Sequence, residues 1–180
     1  MFYIKTRVKI PAIIIVFVLL NVVSIASASD NVPRITDGNN SINWAGYAVV
    51  GATNSVTDVK GSWIVPTVVS STQNQYSSFC VGIDGYNSPT AEQIGTSSDF
   101  INGVSTYYAW YEFYPNPRVI ISSRSMQVKP GDRISAEVSY SRSQFTVNIK
   151  DMTTGKSFST SKKVNSAQRN SAEWLSLIHI

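Results

Sequence analysis

Apolar and polar residues alternate with a period of two through several short runs: Trp44 to Val50, Val56 to Val65, Tyr107 to Tyr114, Ile134 to Tyr140 and Phe145 to Lys150. Such runs, rich in β-branched and aromatic side chains, predict half-buried strands. Turn chemistry lies between them at Asn102-Gly103, Pro130-Gly131-Asp132 and Thr153-Thr154-Gly155. Glycine there accepts positive φ and proline presets its own. After the first 28 residues no amphipathic helix, internal repeat or interdomain linker interrupts the pattern. A single antiparallel β-sandwich is the fold expected.

Period two on Tyr107 to Tyr114 puts Tyr108, Trp110, Glu112 and Tyr114 on one face, and Tyr107, Ala109, Tyr111 and Phe113 on the other. One face thus carries a carboxylate among three aromatics. It reads either as a core strand whose Glu112 meets a hydroxyl or solvent, or as the floor of a groove. Sugars and extended peptides would both fit such a groove, so the strand alone does not choose between them.

Residues 1–28 read as a secretory signal. Lys5, Arg7 and Lys9 form a basic start, Ile10 to Ile25 an apolar run, and Ala26-Ser27-Ala28 a small-residue cleavage site ending at Ala28. An uncleaved membrane anchor is the alternative, although the run is short for the roughly 18 residues of a spanning helix. Residues 29–42, with Pro33, Asp37-Gly38 and Asn39-Asn40-Ser41, read as an exposed lead-in or propeptide remnant. Cleavage changes the charge picture. The formal +4 rests on 15 basic and 11 acidic residues, and loss of Lys5, Arg7 and Lys9 leaves 12 against 11. A mature chain so nearly neutral, without a basic run, is not expected to bind nucleic acid. A secreted, extracellular monomer without stable membrane association is expected instead.

Cys80 is the one cysteine, which excludes a disulfide framework. It reads as a small buried apolar residue, since a catalytic thiol needs a basic partner and the one histidine is His179. A Ser-His-acid triad lacks its Gly-x-Ser-x-Gly elbow. No His, Cys or carboxylate cluster has zinc spacing, so neither metal nor cofactor is expected. No Asp-Thr-Gly or Asp-Ser-Gly signals an aspartic dyad. Carboxylate chemistry remains, on a glycoside or an amide.

Several segments, in order, carry a further signal. They are Asn43-Trp44-Ala45-Gly46, Gly61-Ser62-Trp63-Ile64-Val65-Pro66, Cys80-Val81-Gly82-Ile83-Asp84-Gly85, Ala91-Glu92-Gln93-Ile94-Gly95-Thr96 and Tyr108-Ala109-Trp110-Tyr111-Glu112-Phe113-Tyr114-Pro115. As a set they resemble the eqolisins, the glutamic peptidases, over residues 43–174. The resemblance implies a concanavalin A-like lectin or glucanase type of sandwich and a secreted acid endopeptidase acting on protein or peptide substrates. It aligns Gln93 with the catalytic glutamine, Asp84 with an acid behind the site, and Trp110, Glu112 and Tyr114 with groove residues. Asp99 aligns loosely with another groove acid. Cys80 stands where a tryptophan is usual, and Tyr108 where an acid can occur. A carbohydrate-binding or glycoside-hydrolysing sandwich is the alternative function.

The same resemblance places a catalytic glutamate four residues after the acid of an Ala-Glu-aromatic pattern. Ser171-Ala172-Glu173-Trp174 begins that pattern, but the fourth residue on is Leu177. Glu173 therefore matches the non-catalytic first acid. Leu175-Ser176-Leu177-Ile178-His179-Ile180 is what a transposon-end sequencing adapter encodes in frame, so residues 175–180 are expected to be an artefact and the gene to continue. A naturally shortened, inactive homologue is the alternative. A sandwich missing its C-terminal strands is expected to be poorly soluble and inactive, with apolar faces and edges exposed. Only 14% of residues are charged. This suits work in acid, where protonating paired carboxylates removes stability and excess positive charge self-repels.

Overall fold

The computed structural model describes residues 34–35 and 44–179, with side chains for 44–177. The expected signal segment with its cleavage site at Ala28, and nearly all of the lead-in, lie outside the described residues. Eleven strands form among those described: β1 (Arg34–Ile35), β2 (Trp44–Val50), β3 (Asp58–Ile64), β4 (Tyr76–Asp84), β5 (Ala91–Ile101), β6 (Val104–Tyr114), β7 (Val119–Ile120), β8 (Arg133–Ser141), β9 (Gln144–Asp151), β10 (Ser157–Lys162) and β11 (Ser171–His179). They make a seven-stranded sheet, β1-β2-β11-β4-β5-β6-β7, and a four-stranded sheet, β10-β9-β8-β3. Every pairing is antiparallel.

Alternation fixes which side chains meet between the sheets. The small sheet turns Val59, Trp63, Ile134, Ala136, Val138, Phe145, Val147 and Ile149 inward. The large sheet answers with Val81, Ile83, Ile94, Ala109, Phe113, Ala172 and Trp174. Two indoles bridge the layers and satisfy their N–H groups on burial. Trp63 Nε1 donates to Thr96 Oγ1 at 2.8 Å and Trp174 Nε1 to the Lys60 carbonyl at 2.7 Å. Gly61 makes room for this contact, because a Cβ there would lie 2.6 Å from Val81 Cγ1.

Asn102-Gly103 closes the β5–β6 hairpin as a two-residue turn with φ of 51° and 81°. Both values are positive, the geometry that matches strand twist and favours Asn-Gly. The β8–β9 hairpin turns on Arg142 and Ser143, also at positive φ, with no glycine to announce it. Strands β1, β4, β5, β7, β10 and β11 are additions to those the alternation predicts. β5 is buried along nearly its whole length yet carries Thr96, Ser97, Ser98 and Asp99. Its faces therefore cannot be told apart by polarity.

Gly95 of β5 leaves no room for a side chain against β4. A Cβ at this position would sit 2.2 Å from the Phe79 carbonyl oxygen and 2.7 Å from Cys80 Cβ. Backbone cannot yield as a flexible side chain can, so Gly95→Ala is expected to destabilise the fold by at least about 2 kcal/mol. Urea unfolding measures this, and an unshifted midpoint would show that the strands can part freely here.

Candidate active site

The outer face of the large sheet carries the polar residues left over once the inner face is filled. Pairing aligns Glu173 of β11 with Gly82 of β4, Gly82 with Gln93 of β5, and Gln93 with Glu112 of β6. Directly opposed residues share a face, so these four form one row across four strands. Gly82 contributes no side chain and leaves a gap between Glu173 and Gln93. A Cβ there would stand 3.3 Å from Gln93 Cβ.

Gln93 Nε2 donates to Glu112 Oε2 at 2.5 Å. The Cys80 thiol points at Gln93 Oε1 from 3.8 Å. An amide nitrogen carries two N–H groups, and Glu112 takes one. A cavity of about 380 Å³ opens beside the row, lined by Trp44, Tyr86, Gln93, Glu173, Leu175 and Leu177 among others. Leu177 lies two same-face positions beyond Glu173, opposite Ser78. It also borders a second cavity of about 110 Å³ with Ser97, Asp99, Tyr108 and Arg118.

Burial sets the electrostatics. Glu173 is 7% exposed, and desolvation pushes its carboxyl up to about 7. The Ser171 hydroxyl and the Tyr86 N–H pull it back, while Asp84 pushes it further up. Burial also drives the Cys80 thiol up to about 12, so it is no thiolate nucleophile. A neutral amide can hold a water and donate to a developing oxyanion, while a neighbouring carboxyl can take and return that water's proton.

The expected site residues fall into different places. Gln93 and Glu112 come together in the row. Tyr114, at the end of β6, is 51% exposed and stands opposite Ala91 at its rim. Asp99 is buried under the second cavity, accepting from the Tyr108 hydroxyl at 2.8 Å and the Ser77 N–H at 3.3 Å. Asp84 does not line the groove. Its Oδ2 accepts from the backbone N–H groups of Gln168 and Arg169, both at 2.8 Å, and its Oδ1 from that of Asn170 at 2.9 Å. It anchors the segment entering β11, which an acid at a strand end does well because charge-assisted bonds to N–H groups are strong. Trp110 is on the expected face but wholly buried, with the Arg118 guanidinium 3.8 Å above its ring. Sequence reading missed Arg118, because its position depends on the β6–β7 pairing that follows Pro117.

The Peptidase A4 family model matches residues 42–176. Aspergillopepsin-2 of Aspergillus niger is 30% identical over 160 residues, covering 75% of this chain and 55% of that protein. The solved structure of scytalido-glutamic peptidase with a transition state analog inhibitor matches with a TM-score of 0.65 at 27% identity, over 75% of this chain and 64% of that one. SCP-B, a member of the eqolisin family in complex with the tripeptide Ala-Ile-His, matches at 0.61 and 26%, over 75% and 63%. The chain thus spans a little over half the length of Aspergillopepsin-2 and under two thirds of these solved structures. The shared architecture is the concanavalin A-like lectin and glucanase type of antiparallel fold. With residues 42–176 matched by the family model and the sheets arranged as in these relatives, this chain belongs to the Peptidase A4 family, the glutamic peptidases called eqolisins.

Proposed function

We propose that this chain carries the catalytic glutamine and much of the substrate groove of a secreted acid endopeptidase, which hydrolyses peptide bonds with a water held between Gln93 and a glutamate. The row Glu173–Gly82–Gln93–Glu112 beside an open cavity carries this reading. Glu112 holds the Gln93 amide in one orientation. The remaining N–H can then donate to the oxyanion of the tetrahedral intermediate, and an amide stays neutral at every working pH. The partner glutamate takes the proton of the attacking water and returns it to the leaving amine.

Leu177 occupies the partner's place, on the face of β11 that also carries Glu173 and Leu175 and on the wall of the cavity that holds Gln93. A leucine cannot move a proton, so the chain as written is inactive. A groove that stacks sugars is less well supported, since Arg118 covers the Trp110 face that a sugar ring would need.

Leu177→Glu tests the assignment. This variant is expected to hydrolyse denatured protein in acid with a pepsin-type inhibitor present, while Leu177→Gln and the unsubstituted chain do not. A folded Leu177→Glu protein without hydrolysis would remove position 177 from the mechanism.

A further inference from the structure

Arg118 and Trp110 form a stacked pair of donor-bearing side chains on the outer face. Ile120 of β7 pairs with Trp110, and this pairing folds the preceding Arg118 back over the indole. A guanidinium stacked through its plane keeps its edge N–H groups available to an acceptor. The ion pairs found among the described residues all involve Lys60, none Arg118. Beneath the stack, the buried Trp110 Nε1 has no hydrogen-bond acceptor. Of the neighbouring carboxylates, Asp99 accepts from Tyr108 and Ser77, and Glu112 from Gln93.

Arg118 also borders the smaller cavity, together with Ser78, Ser97, Asp99, Tyr108 and Leu177, and the Asp99 carboxylate there is turned to the Tyr108 hydroxyl and the Ser77 N–H. Trp110 pairs with Gly95, the next same-face position after Gln93. The Arg118–Trp110 stack therefore stands one step along the groove from Gln93. We propose that Arg118 forms a subsite for a substrate carboxylate on the Tyr108 side of Gln93, so that the enzyme selects peptides presenting an acidic side chain or a free C-terminus there. This rests on the peptidase reading above.

Binding by the chain itself tests the subsite without requiring catalysis. Four alanine-based hexapeptides serve as probes in calorimetric titrations at about pH 5.5, where a glutamate side chain is ionised. One is blocked at both ends, one blocked with a single Glu, one blocked with Gln at that place, and one has a free C-terminus. A charged contact to guanidinium is expected to make the Glu or the free-terminus peptide bind about tenfold tighter than its neutral counterpart. Which of the two gains identifies the source of the carboxylate. Arg118→Gln should abolish the gain, and Arg118→Lys should retain part of it. Equal binding of charged and neutral peptides, or a preference that survives Arg118→Gln, overturns the subsite alone. No binding of any peptide overturns it together with the peptidase reading.

Discussion

Glu92→Gln is expected to make the protein more stable than the unsubstituted chain by roughly 3 kcal/mol at pH 7, and to change little at pH 4. Glu92 points inward from β5, fully buried, on the same rung as Ile83 and Phe113. Neither carboxyl oxygen has a hydrogen-bond partner of good geometry. Desolvation pushes it up to about 8, Asp84 adds to the rise, and the Thr90 hydroxyl gives slight relief. The native state therefore holds this proton from an ordinary 4.5 up to about 8, while the unfolded chain releases it. Stability is fully present below about 4.5 and falls as pH rises toward 8. Glu173 acts in the same direction up to about 7. Asp151 acts oppositely: burial resists its charge, but bonds from Thr154 and Thr153 hold its carboxyl low, so its contribution is lost in strong acid. A neutral amide at 92 has no proton to release and removes one of these slopes. Urea midpoints at pH 4 and 7 decide the matter, and an undiminished pH dependence in the variant would place the sensitivity elsewhere.

In a Leu177→Glu background, Gln93→Ala is expected to lower kcat by about a hundredfold to a thousandfold, the loss typical of one oxyanion donor. Stability should hardly move, because Gln93 lies on the outer face and its Glu112 partner can turn to solvent. Gln93→Glu is the sharper probe. It keeps the shape but sets a carboxyl against Glu112 at hydrogen-bond distance, and two such groups share a proton instead of both ionising. The variant should retain some turnover only at the acid end of the profile. A Gln93→Ala enzyme with unchanged kcat would mean that the amide does not touch the reacting atoms.

The strands legible in the sequence were those with one wet face or a clean alternation: β2, β3, β6, β8 and β9. β4 and β5 lie mid-sheet, with Ser78, Ser97, Ser98 and Asp99 buried, so their polarity gave no period to read. β10 is a short polar run, Ser157 to Lys162, and β11 joins its neighbours across the length of the chain. Motif order picked out Gln93, and alternation put Glu112 on the right face. Their contact depends on the β5–β6 register, set by the Asn102-Gly103 turn that the sequence does announce. Glu173's place beside Gly82 depends on pairing between residues some ninety positions apart, which no local pattern encodes. The partners of Asp84 were hidden for a related reason. Read as an acid behind the site, it binds backbone groups of a segment more than eighty residues away, which no local pattern encodes.

β11 is the last described strand in sequence and lies between β2 and β4. During synthesis β2 must therefore wait, with β1 as its sole neighbour, until residues beyond Asn170 have emerged. Closing so long a loop is slow, and the open edges of β2 and β4 invite mispairing meanwhile. The row of Glu173, Gly82, Gln93 and Glu112 is therefore complete only once β11 has paired with β4, so it assembles with the sheet and cannot precede it.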